Sequence, residues 1–178
     1  MEAKQILKDL VKFNTINDKE NKEIINYIEN LLKNRGFKLE YKSKCIIMSI
    51  KDKSNLGFLG HTDTVQAGND WDNNPFELKE ENGLLYGLGA CDMKGGIAAI
   101  LQAVIETDWE KMKSGIKLYF TYDEEIEFSG IKELIEKNEE FPKNMIIGEP
   151  TNNIKMNASK GLLEFKINFD GISAHSSN

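Results

Sequence analysis

His61 and Asp63 are the residues whose types and spacing point most directly to chemistry, and they follow a short apolar run at 56–60. Side chains alternate between faces in an extended chain, so these two would point the same way. An imidazole held through one nitrogen by a carboxylate can bind a metal through the other. The same pair is equally typical of a strand-end histidine that hydrogen-bonds its neighbour, and the pair alone leaves both interpretations open.

Further carboxylates follow other apolar segments or a glycine-bearing loop: Asp92, Glu124, Glu125 and Glu149. Ligands of open α/β sheets bind beyond the carboxyl ends of the strands, so these acids are expected to meet His61 at one edge. Several carboxylates around one histidine would repel one another in a dry cleft, and a bound dication would remove that conflict. One histidine with carboxylates suits zinc, and also cobalt or manganese.

Each acid taken alone also has an ordinary structural interpretation. Asp92 is a candidate helix N-cap, Glu149 a candidate turn residue, and the run 123–125 a candidate solvated loop. Glu124 and Glu125 are informative as neighbours, because adjacent residues at a strand end face different ways. One of them could bind a metal while the other accepts a proton from water as general base.

The elements that would position these residues alternate between helix and strand. Apolar residues at helical spacing predict helices at 3–11, 24–32, 93–107 and 130–138, and β-branched and aromatic runs predict strands at 37–41, 45–50, 56–60, 116–122 and 145–147. Asn82 and Gly83 predict a hairpin turn, and a further extended segment is predicted at 162–169. This alternation predicts an α/β fold whose mostly parallel sheet is flanked by helices.

The composition of the 178-residue chain, 40% hydrophobic and 29% charged, is that of one globular domain of ordinary size. A net charge of −6 argues against nucleic-acid and anionic-membrane partners. Cys45 and Cys91 lie too far apart in sequence to indicate a thiolate zinc site, and Cys91 is interpreted as a packing residue. Trp71 is interpreted as a cover for the sheet edge. The N-terminus has no signal-peptide pattern, which makes the cytoplasm the expected compartment.

Five ordered motifs carry a family resemblance: His61-Thr62-Asp63, Gly87-Leu88-Gly89-Ala90-Cys91-Asp92-Met93-Lys94-Gly95-Gly96, Asp123-Glu124-Glu125, Gly148-Glu149-Pro150-Thr151 and Gly171-Ile172-Ser173-Ala174-His175-Ser176. Together they resemble the metal-dependent amidohydrolases that include acetylornithine deacetylase, succinyl-diaminopimelate desuccinylase, aminoacylases and related carboxypeptidases and dipeptidases. The resemblance implies a zinc-exopeptidase-like catalytic domain. It also favours functional roles for the acids over the separate structural ones.

The resemblance implies a ligand set for two zinc ions. His61, Asp92 and Glu149 would bind the first ion. Asp92 would bridge to the second ion, which Glu125 would also bind. The histidine that completes the second position in the family has no counterpart among these motifs. The first position is therefore expected to have the more complete set of protein ligands.

The resemblance assigns catalytic roles to three further residues. Glu124 would be the general base acting on a water that bridges the ions, and Asp63 would orient His61. His175 would be the histidine of a small lid or dimerisation domain that helps to stabilise the oxyanion. The expected partner is therefore a small N-acyl amino acid or peptide, and the expected assembly is a homo-oligomer.

Members of the family are considerably longer than this chain, which bears on its domains. Residues 1–158 are predicted to form the N-terminal part of the catalytic domain, and residues 159–178 the beginning of the lid domain. The expected reaction is hydrolysis of the amide bond of an N-acyl amino acid, as in acetylornithine deacetylase. The alternatives are a truncated, catalytically weak or inactive fragment that binds at most one metal firmly, and a dipeptidase, aminopeptidase or carboxypeptidase of the same family.

Overall fold

The computed structural model describes residues 2–16, 22–158, 160–161, 165 and 167–168. Within these ranges the helices are α1 (Ala3–Val11), α2 (Lys22–Lys33), α3 (Gly95–Glu106) and α4 (Ser129–Glu136), and the strands are β1 (Lys38–Lys42), β2 (Cys45–Ile50), β3 (Ser54–His61), β4 (Lys79–Glu81), β5 (Leu84–Tyr86), β6 (Gly115–Thr121) and β7 (Asn144–Ile147). None of the helices described there has the length and apolar character that crossing a membrane requires.

The central sheet has the strand order β1-β2-β6-β3-β7. Strand β3 pairs in parallel with both β6 and β7, whereas β2 runs antiparallel to β1 and β6 on either side of it. All strands of this sheet except β2 therefore run in the same direction. The predicted α/β class, with a sheet flanked by helices, is confirmed. The place of β2 between β1 and β6 was not predicted, because pairing between distant segments leaves no local pattern.

The larger core lies between one face of the sheet and helices α1, α2 and α3. Met48 and Phe120 point into this core, whereas Ile47 and Tyr119 point to the opposite face, where α4 packs. Both faces of β2 are therefore buried. Burial of one such side chain stabilises the folded state by about 1.5–3 kcal/mol. The sheet therefore holds the residues that follow its strands in defined positions.

The strands β4 and β5 form a hairpin apart from the central sheet. Asn82 and Gly83 connect them with positive φ angles of 52° and 77°. A two-residue turn of this kind matches the twist of antiparallel strands, so the predicted hairpin is confirmed. Strand β5 then leads into the glycine-bearing loop before Asp92.

The predicted helix at 93–107 begins two residues later than expected, because a distorted turn at Ala90–Lys94 precedes α3. Asp92 is extended in this turn, with φ −118° and ψ 101°, and the peptide bond between Asp92 and Met93 is cis. The N–H of Lys94 donates to the backbone oxygen of Gly89 at 2.9 Å. This bond joins residues farther apart in sequence than the hydrogen bonds of an α-helix do. The extended backbone lets Asp92 project towards the sheet edge.

Two glycines bring the start of α3 against the end of β7. A Cβ atom at Gly96 would lie 2.3 Å from the backbone oxygen of Gly148, and one at Gly148 would lie 2.7 Å from Met93 Cε. The first distance is to a backbone atom, so the contact requires glycine at position 96, whereas the second is to a flexible side chain that can move. Asp92 lies shortly before Gly96 and Glu149 directly after Gly148, so the contact sets the separation of the two acids.

Strand β7 is an edge of the sheet within the described part of the chain. Its residues Ile146 and Ile147 are 52% and 59% exposed. The predicted boundary between residues 158 and 159 and the extended segment at 162–169 fall largely on residues outside those described. Both therefore stay predictions.

Candidate metal centre

Three strands of the sheet end at the same edge and deliver most of the candidate ligands. Strand β3 ends at His61, and its parallel partners β6 and β7 lead into acidic segments on either side of it. Those segments carry Glu124, Glu125 and Glu149. Asp92 reaches the same edge from the distorted turn before α3. The structure thus brings together the side chains that the carboxyl-end rule for α/β sheets predicted to meet.

His61 is 1% exposed, and its Nε2 atom faces a group of carboxylates. Nε2 lies 3.0 Å from Asp92 Oδ1, 3.8 Å from Glu149 Oε1 and 3.9 Å from Glu124 Oε2. Two overlapping groups have their potential ligand atoms within 4.8 Å of one another: His61 with Asp92 and Glu149, and His61 with Glu124 and Glu125. Glu124 and Glu125 therefore belong to the same group of potential ligands.

Asp63 holds the other side of the imidazole ring. His61 Nδ1 lies 3.1 Å from the backbone oxygen of Asp63 and 3.4 Å from its Oδ1 atom. The backbone oxygen is the hydrogen-bond acceptor on this side, so Nδ1 carries a proton and Nε2 is the ring atom that faces the carboxylates. Asp63 Oδ2 also accepts the backbone N–H of Glu125 at 3.1 Å, so this one buried residue contacts both the histidine and the acidic loop.

Asp123, the first acid of the triplet, has a structural role in that loop. It is buried and has a positive φ of 71°, which turns the chain directly after β6. Its backbone oxygen accepts the N–H of Phe128 at 2.7 Å, and its Oδ2 accepts the hydroxyl of Ser129 at 2.5 Å. The sequence indicated an acidic loop but not this division of roles, because the φ angle of an aspartate cannot be deduced from its type.

Burial and mutual repulsion raise the pKa values of three acids at this centre. Burial and the nearby charges of Asp92 and Glu124 raise the pKa of Glu149 to about 7. Burial, with the charges of neighbouring acids, also raises the pKa of Glu124 and of Glu125. These shifts express the repulsion expected between carboxylates gathered in a partly buried cleft.

The pKa of His61 is raised and the pKa of Asp63 is lowered, so both groups favour their charged forms. Burial lowers the pKa of His61, but the carboxylates of Asp63 and Asp92 outweigh burial and raise it to about 9. Burial acts to raise the pKa of Asp63, but its contact with His61 and backbone N–H groups lowers it below the usual range. Asp63 is therefore a constant negative charge behind the ring.

A divalent cation fits this donor set. Within the described ranges, the ion-pair contacts of these acids are with His61, and no lysine or arginine pairs with them. One imidazole with several carboxylates is a set that zinc, cobalt or manganese accepts. An ion there would offset the repulsion that raises the pKa values of the acids. The residues that could hold it are His61, Asp92, Glu124, Glu125 and Glu149.

Lys94 is a buried residue near the centre that sequence reasoning missed. It is 1% exposed, and its Nζ donates to the backbone oxygen of Phe13 at 3.0 Å. Burial lowers its pKa to about 8, although the charge of Asp63 acts in the opposite direction. The lysine ties the turn that carries Asp92 to the segment after α1. A charged residue in a glycine-bearing motif is usually solvated, so no sequence signal indicated this burial.

Two residues near the centre, Cys91 and Trp71, differ from their predicted roles. A third candidate, His175, is not among the described residues. Cys91 is exposed rather than packed, because the distorted turn buries Met93 and Lys94 instead. Trp71 is 38% exposed and lines a cavity next to Asp92 rather than covering the sheet edge. His175, the predicted lid histidine, lies outside the described residues, so its role stays a prediction.

Comparison with known proteins places these residues in a family context. The sequence profile of peptidase family M20/M25/M40 matches residues 57–170. Two curated acetylornithine deacetylases, from Buchnera aphidicola subsp. Acyrthosiphon pisum and subsp. Schizaphis graminum, are 33% and 35% identical to this chain over 188 residues. Each alignment covers 98% of this chain and 49% of the relative, so the chain spans about half the length of the curated relatives it matches.

Two solved structures share the fold. An M20 family metallo-carboxypeptidase from Sulfolobus solfataricus superposes with a TM-score of 0.71 at 25% identity, over 83% of this chain and 37% of its own. Human carnosine dipeptidase 1 superposes with a TM-score of 0.70 at 23% identity, over 82% of this chain and 37% of its own. The profile match spans more than half of the chain and every acid that faces His61. The chain belongs to peptidase family M20/M25/M40.

Proposed function

We propose that this chain contributes the metal centre and the general base of a hydrolase that cleaves the amide bond of an N-acyl amino acid. The observation that carries the proposal is the environment of His61, whose Nε2 faces three carboxylates within 3.9 Å. The similarity to acetylornithine deacetylases over nearly the whole chain supports a deacylase in particular.

The proposed metal is zinc, with His61, Asp92 and Glu149 at a first position. The family resemblance supports Asp92 with Glu125 at a second. Zinc supplies Lewis-acid chemistry, which makes a nearby water more acidic and stabilises negative charge on a reacting carbonyl. The first position has three protein ligands, the usual number for a catalytic zinc, and the second has two. We therefore expect tighter binding at the first position, with at most one ion held firmly.

Glu124 is the proposed general base. Its side chain is 32% exposed, so it is open to the cleft, and its Oε2 lies 3.9 Å from His61 Nε2. Burial raises its pKa above that of an ordinary glutamate, which suits a group that must accept a proton near neutral pH. In this role Glu124 takes a proton from the attacking water and returns it to the leaving amine.

Asp63 is the proposed positioning residue of the centre. It keeps the proton of His61 on Nδ1 and holds the ring with Nε2 towards the acids. Its second oxygen accepts the N–H of Glu125, so it also fixes the loop that carries the general base. Removal of this carboxylate is expected to disturb the ligand and the base together.

Peptide hydrolysis is the second candidate function, because solved relatives include a carboxypeptidase and a dipeptidase. Both reactions cleave an amide bond and need the same ion and base. The acetylornithine deacetylases match more of this chain and at higher identity, which favours the deacylase. A comparison of N-acetyl-L-ornithine with dipeptides as substrates of the zinc-loaded protein separates the two.

Calorimetric titration of zinc into the metal-free protein tests the centre itself. We expect saturable binding that His61→Asn abolishes. Glu136→Gln, which removes a charge from α4 and is remote from His61 in sequence, is the matched control and should bind zinc as the unmodified chain does. Equal zinc binding by all three proteins would refute the proposed centre.

A further inference from the structure

We infer that a buried polar site behind the metal centre holds internal water, and that this water joins Lys94 to Asp63 and makes Lys94 a positioning residue of the centre. The role in positioning rests on the proposed function, whereas the water site does not. Four side chains form the site: Thr15, Asp63, Thr64 and Lys94. Each of them is at most 2% exposed. We call this group the inner polar site.

The ammonium group of Lys94 has more hydrogens to donate than acceptors to receive them. It carries three hydrogens, and its one acceptor among the described residues is the backbone oxygen of Phe13, 3.0 Å from Nζ. A buried charge whose donors stay unused loses hydration without compensation, which costs more than for a neutral group. The ammonium of Lys94 therefore requires further acceptors inside the protein.

Three oxygen atoms of the inner polar site have the opposite need. Thr15 Oγ1, Thr64 Oγ1 and Asp63 Oδ1 are buried and have no hydrogen-bond partner among the described residues. Asp63 Oδ1 lies 3.4 Å from His61 Nδ1, but that nitrogen donates to the backbone oxygen of Asp63 at 3.1 Å. Buried polar atoms of folded proteins nearly always have a partner, and ordered water supplies it where side chains do not.

Contacts between three segments of the chain keep these groups together. The segment after α1 accepts the bond from Lys94 Nζ, and its Thr15 oxygen accepts the N–H of Thr64 at 3.3 Å. A Cβ atom at Gly89 would lie 2.5 Å from Thr64 Cγ2 and 3.2 Å from Lys94 Cδ. The side chains of Thr64 and Lys94 therefore both border this glycine, next to the segment that carries Thr15.

Water is the occupant that matches this chemistry. It accepts from an ammonium and donates to hydroxyl and carboxylate oxygens, and an internal water typically has about three such partners. The negative charge of Asp63 already acts on the ammonium of Lys94. A bridging water turns this attraction into directed hydrogen bonds to Asp63 Oδ1. Because Asp63 orients His61, Lys94 then acts on a proposed metal ligand through one intermediate residue.

A crystal structure of the metal-free chain, at a resolution that shows ordered water, tests the site directly. We expect a water within about 3.2 Å of Lys94 Nζ and of at least one of the three oxygens that have no partner in the described part of the chain. Direct hydrogen bonds that close the inner polar site, or the lack of such a water, would overturn the inference.

The sign of a stability change tests the site in solution. Thr15→Val and Thr64→Val each exchange a hydroxyl for a methyl group of similar size. If the hydroxyls bond water, each exchange removes a partner from that water and the urea midpoint should fall. If they bond nothing, the loss of a buried polar group leaves the midpoint unchanged or raises it. That second result in both variants would overturn the inference.

Cobalt(II) titration tests the role of Lys94 in positioning. Cobalt accepts the donors proposed for zinc, and its visible absorption reports the arrangement of its ligands. Lys94→Met keeps an unbranched side chain but removes a positive charge, a loss that would by itself strengthen the binding of a cation. We expect cobalt binding about tenfold weaker instead, with a changed spectrum. Equal or tighter binding would overturn the role of Lys94.

Ile28→Val is the control for a general loss of stability. It removes a methyl group from the larger core and should bind cobalt with the affinity and spectrum of the unmodified chain. A spectrum that changes in Ile28→Val as it does in Lys94→Met would show that the change follows stability, and would overturn the positioning role. The threonine variants and the crystal structure stay decisive for the water site even if Lys94→Met does not fold.

A double variant tests whether Lys94 acts through Asp63. Lys94→Met should weaken cobalt binding in the unmodified chain but cause no further loss in Asp63→Asn. Additive losses would overturn the proposed link between the two residues. If the unmodified chain binds neither zinc nor cobalt, the proposed function fails, whereas the crystallographic water and the threonine variants still decide whether the inner polar site holds water.

Discussion

Two groups of acids in this molecule differ in the partners that the fold gives them. Glu29 on α2 is buried and hydrogen-bonded by Lys33 and, at 2.6 Å, by Lys42. These lysines outweigh the effect of burial and lower the pKa of Glu29. At the metal centre, burial and neighbouring acids raise the pKa of Glu124 and Glu149, and His61 is the cationic group with which they pair.

The reverse arrangement, one lysine between two acids, occurs elsewhere in the sheet. Lys117 on β6 lies 3.0 Å from Glu40 and 2.5 Å from Glu139. The fold thus supplies lysines to acids that hold elements together. Among the described residues, the acids beyond β3, β6 and β7 have no lysine or arginine partner and share the single histidine His61. This shortage of basic partners, more than the presence of carboxylates, distinguishes the candidate metal centre.

The largest effect is expected for Glu124→Gln. Loss of the general base should lower hydrolysis of N-acetyl-L-ornithine by about 10²–10⁴-fold. Zinc content should stay near that of the unmodified protein, because Glu124 is not one of the assigned ligands. Turnover by the zinc-loaded protein and metal analysis measure the two outcomes. Activity that survives largely intact would remove Glu124 from the role of base.

Zinc should raise the thermal stability of the chain, because a ligand that binds only the native state stabilises it. At one hundred times the dissociation constant the gain is about 2.7 kcal/mol, or about 5–10 °C in Tm for a domain of this size. His61→Asn should remove the zinc-dependent shift, whereas Glu29→Gln should keep it. Melting curves with zinc and with a chelator measure both, and a shift that persists in His61→Asn would place the ion elsewhere.

The pH dependence of stability should differ between metal-free and zinc-loaded protein. The folded metal-free state holds extra protons, since the pKa of Glu149 rises from 4.5 to about 7 and that of His61 from 6.5 to about 9. The contribution of His61 is present below pH 6.5 and lost as pH rises through 9, and ionisation of Glu149 adds a loss between 4.5 and 7. The centre should therefore destabilise the metal-free protein as pH rises.

Zinc should reverse that trend, because the ligands must lose their protons to bind it. Urea unfolding at pH 5, 7 and 9, with zinc and with a chelator, measures how the free energy of unfolding of each protein form changes with pH. Glu29 supplies an internal contrast: its lowered pKa gives stability that is present above pH 4.5 and lost as pH falls through the folded value. Parallel slopes for the two protein forms would contradict the proposed linkage.

The smallest effect is expected for Glu29→Gln. Its lysine partners are 49% and 40% exposed, and such pairs contribute less than about 1 kcal/mol. The urea midpoint should fall slightly, and zinc affinity should not change. A loss of zinc affinity in this variant would show that the two groups of acids are not independent.

The sequence predicted the helices and strands well where periodicity carries the signal. The apolar spacing of α1 and α2 and the Asn82-Gly83 turn correspond to observed elements. The start of α3 was misplaced because Asp92 and Met93 adopt non-helical angles, which apolar spacing does not reveal. The strand order of the sheet also lay beyond prediction, because it depends on contacts between distant segments.

For the centre, residue types at strand ends predicted which side chains would meet. His61, Asp92 and Glu149 come together as expected. The burial of Lys94 and the bond from Glu125 N–H to Asp63 were not predicted. Both depend on how loops pack behind the site, and the order of residues along the chain does not reveal that packing.

The contact between Gly96 and Gly148 has a consequence for how metal preference can change. The gap between Asp92 and Glu149 is set where two backbones touch, at positions that do not bind the ion. A single methyl group at Gly96 would meet the backbone oxygen of Gly148, push α3 and β7 apart and enlarge the opening between two ligands. Selectivity among ions of different radius could thus drift through mutations outside the coordination sphere, while every ligand stays the same.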